Sequence, residues 1–203
     1  MIKVILFDCD GLIIKHTKYF SQRLKEQKGI DVNSEGEKAF FKNEFLLCET
    51  GKADLKNELT KRLAVWGWKG TVEELMQFWF SGEADIVEEM KEYILSLRKQ
   101  GIKCFLSTNN EKYRTEYLAN TVDLKSLFDG IFSSAYLGYL KPQIEYWAEV
   151  YKSLSGIPKD QILMWDDILS AVDSAGEFGF NAEHYQNFEG FKKIMGGKYQ
   201  IAV

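Results

Sequence analysis

The sequence predicts an α/β fold, a parallel sheet core flanked by helices, with an all-helical block inserted near its start. Three observations predict it. The chain opens on an apolar run of strand length that ends at two aspartates. From residue 84 onward, short apolar strands alternate with amphipathic helices, the pattern of a parallel sheet covered on both faces. Between the two lies a helical stretch, residues 15–82, too long for one crossover connection. The expected division is a core of residues 1–14 and 83–203 and a separate helical subdomain of residues 15–82.

Ile2, Val4, Ile5, Leu6 and Phe7 form a nearly unbroken run rich in β-branched residues, as suits a strand buried on both faces. It stops at Asp8 and Asp10, then at Gly11, which permits a turn. In extended chain the two aspartates point the same way, toward one cleft, and Cys9 between them points away, which argues against a catalytic thiol. Two acids at a strand end can be no more than a polar turn; the downstream sequence decides.

Apolar residues at three- and four-residue spacings then predict helices over 17–28, 34–48, 53–66 and 71–80. Ser34 with Glu37 and Thr71 with Glu74 fit the capping box. The aromatic residues here (Phe40, Phe41, Phe45, Trp66, Trp68, Phe78, Trp79, Phe80) recur at helical spacing and read as core. Beyond them the pattern predicts a helix over 84–100, stopped by Gly101, and a strand over 102–106. That strand ends in Ser107-Thr108-Asn109-Asn110, and a helix follows over 111–120. A short strand begins at Ile131-Phe132. Lys141-Pro142 should place Pro142 in the first turn of a helix running to residue 154. The strand over 162–165 ends in Asp166 and Asp167, and a strand over 181–184 and a helix over 188–195 close the pattern. Right-handed crossovers would bring every strand's carboxyl end to one edge, where open α/β sheets bind ligands.

At 203 residues the chain can bury a sizeable core, and 45% hydrophobic with 28% charged residues is an ordinary globular balance. A net charge of -4 with basic residues scattered among acids leaves no nucleic-acid footprint and no polybasic membrane patch. No apolar run approaches the roughly 18 residues that span a bilayer. The opening segment carries one Lys, lacks a small-residue cleavage site and runs into acids, so it is expected to be a strand and not a signal peptide. Cys9, Cys48 and Cys104 are widely spaced and odd in number, as fits free thiols and a cytoplasmic protein.

The four strand ends offer, in order, an acid pair, a hydroxyl with amides, a lysine and a second acid pair. Carboxylates converging in one cleft repel unless a cation is present. Oxygen-only ligands favour a hard ion, and Mg²⁺ is the usual one when phosphate completes the shell. Thr108, Asn109 and Lys141 supply the donors and positive charge that a phosphoryl group requires. An aspartate held against Mg²⁺ can attack phosphorus, and a second carboxyl nearby can protonate the leaving alcohol and then activate water.

This ordered set resembles the haloacid dehalogenase superfamily, in its phosphatase branch with a helical cap between the first two motifs. Asp8-Cys9-Asp10-Gly11 matches its DxDG motif. Thr108, with Ser107 a one-residue alternative, matches the hydroxyl of the second motif, Lys141-Pro142 the third, and Asp166-Asp167 the fourth. The resemblance implies a Rossmann-like core and a Mg²⁺-dependent phosphatase of small phosphomonoesters, such as sugar phosphates. It implies Asp8 as nucleophile, Asp10 as general acid/base, and Thr108, Asn109 and Lys141 as phosphate ligands. The Mg²⁺ would be held by Asp8, the Asp10 carbonyl and Asp167, with Asp166 acting through water. Lys15, Gln143-Ile144 and Ala171 depart from common family residues and blur the subfamily. Residues 47–59, with Gly51-Lys52 and Glu58, look like those of sugar-phosphatase and soluble-epoxide-hydrolase amino-terminal-domain relatives. A phosphomutase, a dehalogenase and a non-catalytic binding protein on the same scaffold stand as alternatives. Arg23, Arg62 and Arg114 are open to two readings, anion ligands or solvated helix faces. His16 reads as a hinge or surface residue, and His184 is assigned no role.

Overall fold

The computed structural model describes residues 1–15, 18–32, 35–154 and 156–201. His16, Thr17 and the expected Ser34–Glu37 capping box lie outside the described residues. Five parallel strands, β1 (Val4–Phe7), β2 (Lys103–Thr108), β3 (Gly130–Ser133), β4 (Ile162–Asp166) and β5 (Asn181–His184), lie in the order β3-β2-β1-β4-β5. The apolar opening run thus becomes the central strand, buried at every position. Phe7 pairs with Leu106 on one side and Trp165 on the other, so the next residues, Asp8, Ser107 and Asp166, stand level at one edge.

The helices before the second strand are α1 (Phe20–Lys28), α2 (Glu35–Lys42), α3 (Glu44–Glu49), α4 (Leu55–Thr60), α5 (Leu63–Trp66), α6 (Val72–Ser81) and α7 (Glu88–Lys99). Those after it are α8 (Lys112–Asn120), α9 (Leu124–Leu127), α10 (Ser134–Leu137), α11 (Ile144–Ser153), α12 (Leu169–Phe178) and α13 (Phe188–Gly197). Strand alternation sends Ile5, Phe7 and Trp165 to one face, against Met90 and Ile94 of α7 and Phe191 of α13. It sends Val4, Leu6 and Met164 to the other, against Tyr146 and Trp147 of α11 and Ala171 and Ala175 of α12. Helices α1–α6 build a third apolar cluster of their own, around Phe20, Phe40, Trp66 and Trp79, onto which Tyr113 and Tyr117 of α8 also pack. The aromatic stripe is core, as its spacing predicts. The Thr71–Glu74 capping box of α6 also forms as expected.

Several elements differ from expectation. The stretch 34–48 breaks at Asn43, whose φ of -121° and ψ of -79° are not helical; Asn competes locally for backbone hydrogen bonds and favours helix ends. Across the break the rings of Phe41 and Phe45 still meet at 5.9 Å. The stretch 53–66 likewise divides into α4 and α5. Residues 84–87 are not helical. The Lys15 amide donates to the Asp85 carbonyl and the Val87 amide to the Ile13 carbonyl, both at 2.8 Å, so the two crossings between sheet and helical block pair with each other. Pro142 precedes the Gln143 N-cap of α11 and lies outside its first turn. The short helices α9 and α10 fill stretches that carry too few residues for a periodic signal.

Gly51 closes the turn after α3 with φ of +68°, and a Cβ there would stand 2.2 Å from the Ala135 carbonyl oxygen of α10. Gly29 has φ of +69° with nothing within 4 Å of the same atom. A left-handed backbone costs a non-glycine residue about 1–2 kcal/mol, so Gly29→Ala should lose about that much in a denaturant titration. Gly51→Ala should lose clearly more, because backbone must also move. Equal losses would contradict the close seating of the helical block on α10.

Candidate active site

Asp8, Thr108 and Asp166 stand where strands run out, while Lys141 comes from the loop between α10 and α11 and not, as expected, from a strand end. The Asp8 amide still donates to the Trp165 carbonyl at 2.9 Å, so sheet pairing reaches the first aspartate. Gly11 then adopts φ of 89°, and the amides of Ile13 and Ile14 turn back to the Cys9 carbonyl at 2.8 Å. Cys9 faces the α7 side of the sheet and is fully buried; burial pushes its thiol well above its ordinary range. Asp8 points the other way, to Lys141 in the chain between α10 and α11.

The Lys141 ammonium donates to the Asp8 carboxylate, to Asp166 Oδ2 at 2.6 Å and to the Ser107 carbonyl at 3.4 Å. Lys141, Asp8 and Asp166 are only 4%, 5% and 0% exposed, so water screens none of these contacts. Burial pushes the Asp8 carboxyl upward, Lys141 opposes this, and the neighbouring Asp166 adds to the rise. Burial alone would lower Lys141, but the charges of Asp8 and Asp166 outweigh it and hold the ammonium charged. Asp166 Oδ1 accepts the Ile168 amide at 2.9 Å. Asp8, Asp166 and Asp167 each present a carboxylate oxygen within 4.8 Å of the other two. Such an all-oxygen donor set fits a hard divalent cation.

Asp8, Asp10, Thr108, Asn109, Lys141 and Asp167 line one cavity of about 260 Å³. Ser107 is not among its walls; its hydroxyl lies 3.0 Å from that of Tyr146, on the core side. Asn109 Oδ1 accepts the Lys141 amide at 3.0 Å and so fixes the lysine's loop. A second cavity of about 300 Å³ adjoins under the helical block, with Glu49, Trp79, Phe80 and Glu111 in its walls. Asp10, Tyr19 and Asn109 line both cavities. Asp10 is held at both oxygens: Oδ1 accepts from Arg114 at 3.0 Å and Oδ2 from the Asn110 amide at 2.9 Å. The same amide donates to Thr108 Oγ1 at 2.6 Å.

The haloacid dehalogenase-like hydrolase family matches residues 2–179. The chain belongs to the haloacid dehalogenase-like hydrolases. A HAD-like family hydrolase of Porphyromonas gingivalis is similar at 25% identity and a TM-score of 0.78, over 98% of each chain. A HAD family enzyme of Bacteroides thetaiotaomicron, in complex with magnesium and inorganic phosphate, is similar at 20% identity and 0.77, over 92% of this chain and 95% of that one. L-2-haloacid dehalogenase of Xanthobacter autotrophicus, with chloropropionic acid covalently bound, is similar at 16% identity and 0.65, over 96% and 82%. No curated protein matches the chain in sequence.

On this HAD core every residue singled out as a ligand or catalyst lies at the sheet edge, Asp166 beneath the cavity and the others in its wall. Arg23 and Arg114 are buried and are not solvated helix faces, whereas Arg62 is partly exposed and pairs with Glu44 at 2.5 Å. Asn110, Glu49 and Glu111 escaped the sequence reading, though Asn110 stood beside Asn109 at a strand end and Glu111 at a helix start. Glu111 caps α8, accepting the amides of Tyr113 at 2.8 Å and Arg114 at 2.5 Å. Glu49 has no hydrogen-bond or ion-pair partner among the described residues. No helix among them is long and apolar enough to cross a membrane.

Burial, with Asp10 and Glu111 nearby, pushes Glu49 up to about 7. Between the ordinary carboxyl range and about 7, the folded chain therefore keeps a proton that the unfolded chain has released. Stability then falls as pH rises through that window. Glu49→Gln removes this penalty. The variant should match the parent near pH 4 and melt higher at pH 8, by about 2 °C or more if the relief reaches about 1 kcal/mol. Melting curves that stay parallel from pH 4 to 8 would contradict the half-buried charge at Glu49.

Proposed function

We propose that this HAD-like hydrolase is a cytoplasmic, Mg²⁺-dependent phosphatase of small phosphomonoester metabolites, of the sugar-phosphate kind, acting through an aspartyl-phosphate. The observation that carries the reading is the placement of Asp10 in the wall shared by two cavities. A general acid must stand between the phosphoryl group and the leaving group, and Asp8 and Lys141 lie on one side of it. In this reading residues 15–82 form a cap over a core of residues 1–14 and 83–203, and the leaving group occupies the cavity beneath the cap. There the Glu49 carboxyl would accept a hydrogen bond beside the aromatic faces of Trp79 and Phe80, which suits a hydroxylated, uncharged alcohol.

Asp8, Asp167 and the Asp10 carbonyl would hold the cation, with Asp166 acting through water. When bound, Mg²⁺ offsets the repulsion among these carboxylates and draws charge from the phosphoryl oxygens. Lys141 holds Asp8 in line and adds positive charge to the same side. Thr108 and Asn109 orient the phosphoryl group. An Asp8 carboxylate oxygen attacks phosphorus while the bond to the leaving oxygen breaks, and that oxygen takes its proton from Asp10. Asp10, now a carboxylate, takes a proton from the incoming water as it attacks phosphorus, and the Asp8 carboxylate leaves. The Bacteroides enzyme of the same fold was crystallised with the two ligands this reading calls for. A dehalogenase would use the nucleophile without a metal and would leave Asp10 without a task.

A panel of phosphorylated sugars and other phosphomonoesters, assayed with Mg²⁺ and with EDTA, tests the reading. Turnover should require the metal, and Mg²⁺ should raise the melting temperature. Asp8→Asn should abolish turnover and keep the fold, because the amide is nearly the same shape but a poor nucleophile. Turnover in EDTA, or a near-normal rate in the Asp8→Asn variant, would sink it.

A further inference from the structure

Arg114 lies in α8, 4% exposed, and its guanidinium joins three segments of the chain. Nη2 donates to Asp10 Oδ1 at 3.0 Å and to the Glu83 carbonyl at 2.6 Å, and Nη1 to the Phe80 carbonyl at 3.4 Å. Phe80 is in the last turn of α6, where carbonyls lack intrahelical partners and the helix dipole is negative. Arg23, from α1, covers the same helix end, donating to Phe78 at 2.9 Å and Trp79 at 2.7 Å. Two buried arginines thus share one structural task, and of the pair Arg114 alone also grips Asp10.

We propose that Arg114 is a positioning residue for Asp10: it fixes the carboxyl in the wall between the two cavities and ties that placement to the backbone of the helical block. The inference rests on the phosphatase reading above. Among the described residues Asp10 has two side-chain holders, Asn110 at Oδ2 and Arg114 at Oδ1. A charge-assisted hydrogen bond is roughly twice as strong as a neutral one. Without Arg114 the carboxyl keeps a single neutral bond and can turn out of line with the leaving oxygen. The third grip matters as well. Phe80 and Glu83 lie where the chain leaves the helical block, so the seat of that block on the core and the aim of the acid are set by one side chain.

Asp10 protonates a poor leaving group and has little to do for a good one, which separates positioning from mere structural support. The experiment is single-turnover phosphoryl transfer at saturating Mg²⁺, with an alkyl phosphate and with p-nitrophenyl phosphate. General acid help is worth about 10²- to 10⁴-fold. Arg114→Met should therefore lose about 10-fold or more in the first step on the alkyl ester and less than about 3-fold on the nitrophenyl ester. Arg114→Lys should recover part of that selective loss. Arg23→Met, which strips carbonyl partners from the same helix end, should lower the melting temperature and leave the ratio of the two substrates unchanged. Equal losses on both esters in Arg114→Met, or the same selective loss in Arg23→Met, would overturn the inference. Wild-type protein inactive on every ester with Mg²⁺ would instead overturn the phosphatase reading. The crystal structure of Arg114→Met then decides the positioning: an Asp10 carboxyl displaced from the shared wall supports it, and one left in place overturns it.

Discussion

One buried ammonium between two buried carboxylates is the constraint on which the rest depends. Lys141 meets Asp8 at the end of β1 and Asp166 at the end of β4, with almost no solvent at any of the three. Removing one partner from a buried ion pair costs about 3–5 kcal/mol, because an uncompensated charge remains. The chain can bear these groups only if both strand ends and the loop before α11 arrive together. The sheet order meets that demand: β1 is central, β4 is its neighbour, and their parallel register brings Asp8 and Asp166 level. One lysine does not balance two carboxylates and the adjoining Asp167. The excess negative charge is what makes this edge a seat for a cation.

The helical block is bound to that edge by polar contacts as much as by its aromatic core. Arg114 holds Asp10 and the backbone at Phe80 and Glu83. The Glu83 carboxylate, in turn, accepts the Phe20 amide at 2.6 Å and the Trp79 indole at 3.1 Å. On the far side Tyr113 donates to Asp54 at 2.7 Å. The second cavity is therefore walled by both parts of the chain, and its shape follows how they sit on each other. The shape of that cavity and the placement of the Asp10 carboxyl share the same supports.

Much of this was legible in the sequence. Residues 181–184 form β5 as read, and the acids, hydroxyl and lysine lie at the sheet edge, because a strand end is marked locally by an apolar run meeting polar residues. The family followed from three such ends and the lysine ahead of α11, taken in order. What escaped depends on partners distant in sequence. Asp10 and Arg114 are 104 residues apart, and nothing in the periodicity of α8 distinguishes an arginine turned inward from one facing water. Glu49 read as one acid among many, since its burial comes from packing. The break at Asn43 and the pairing of residues 84–87 with 13–15 are tertiary choices that helical periodicity overrides on paper. The Ser107 or Thr108 ambiguity needed the register, which turns Ser107 to Tyr146 and leaves Thr108 in the cavity wall.

The central claim is that Asp8 carries the phosphoryl group during turnover, and borohydride trapping tests it most directly. Protein mixed with p-nitrophenyl phosphate and Mg²⁺, quenched within a single turnover and reduced, should carry homoserine in place of Asp8. Peptide mass spectrometry reads the site. Nitrophenol released in that turnover with Asp8 unmodified, or with the reduced residue at another aspartate, would contradict the account.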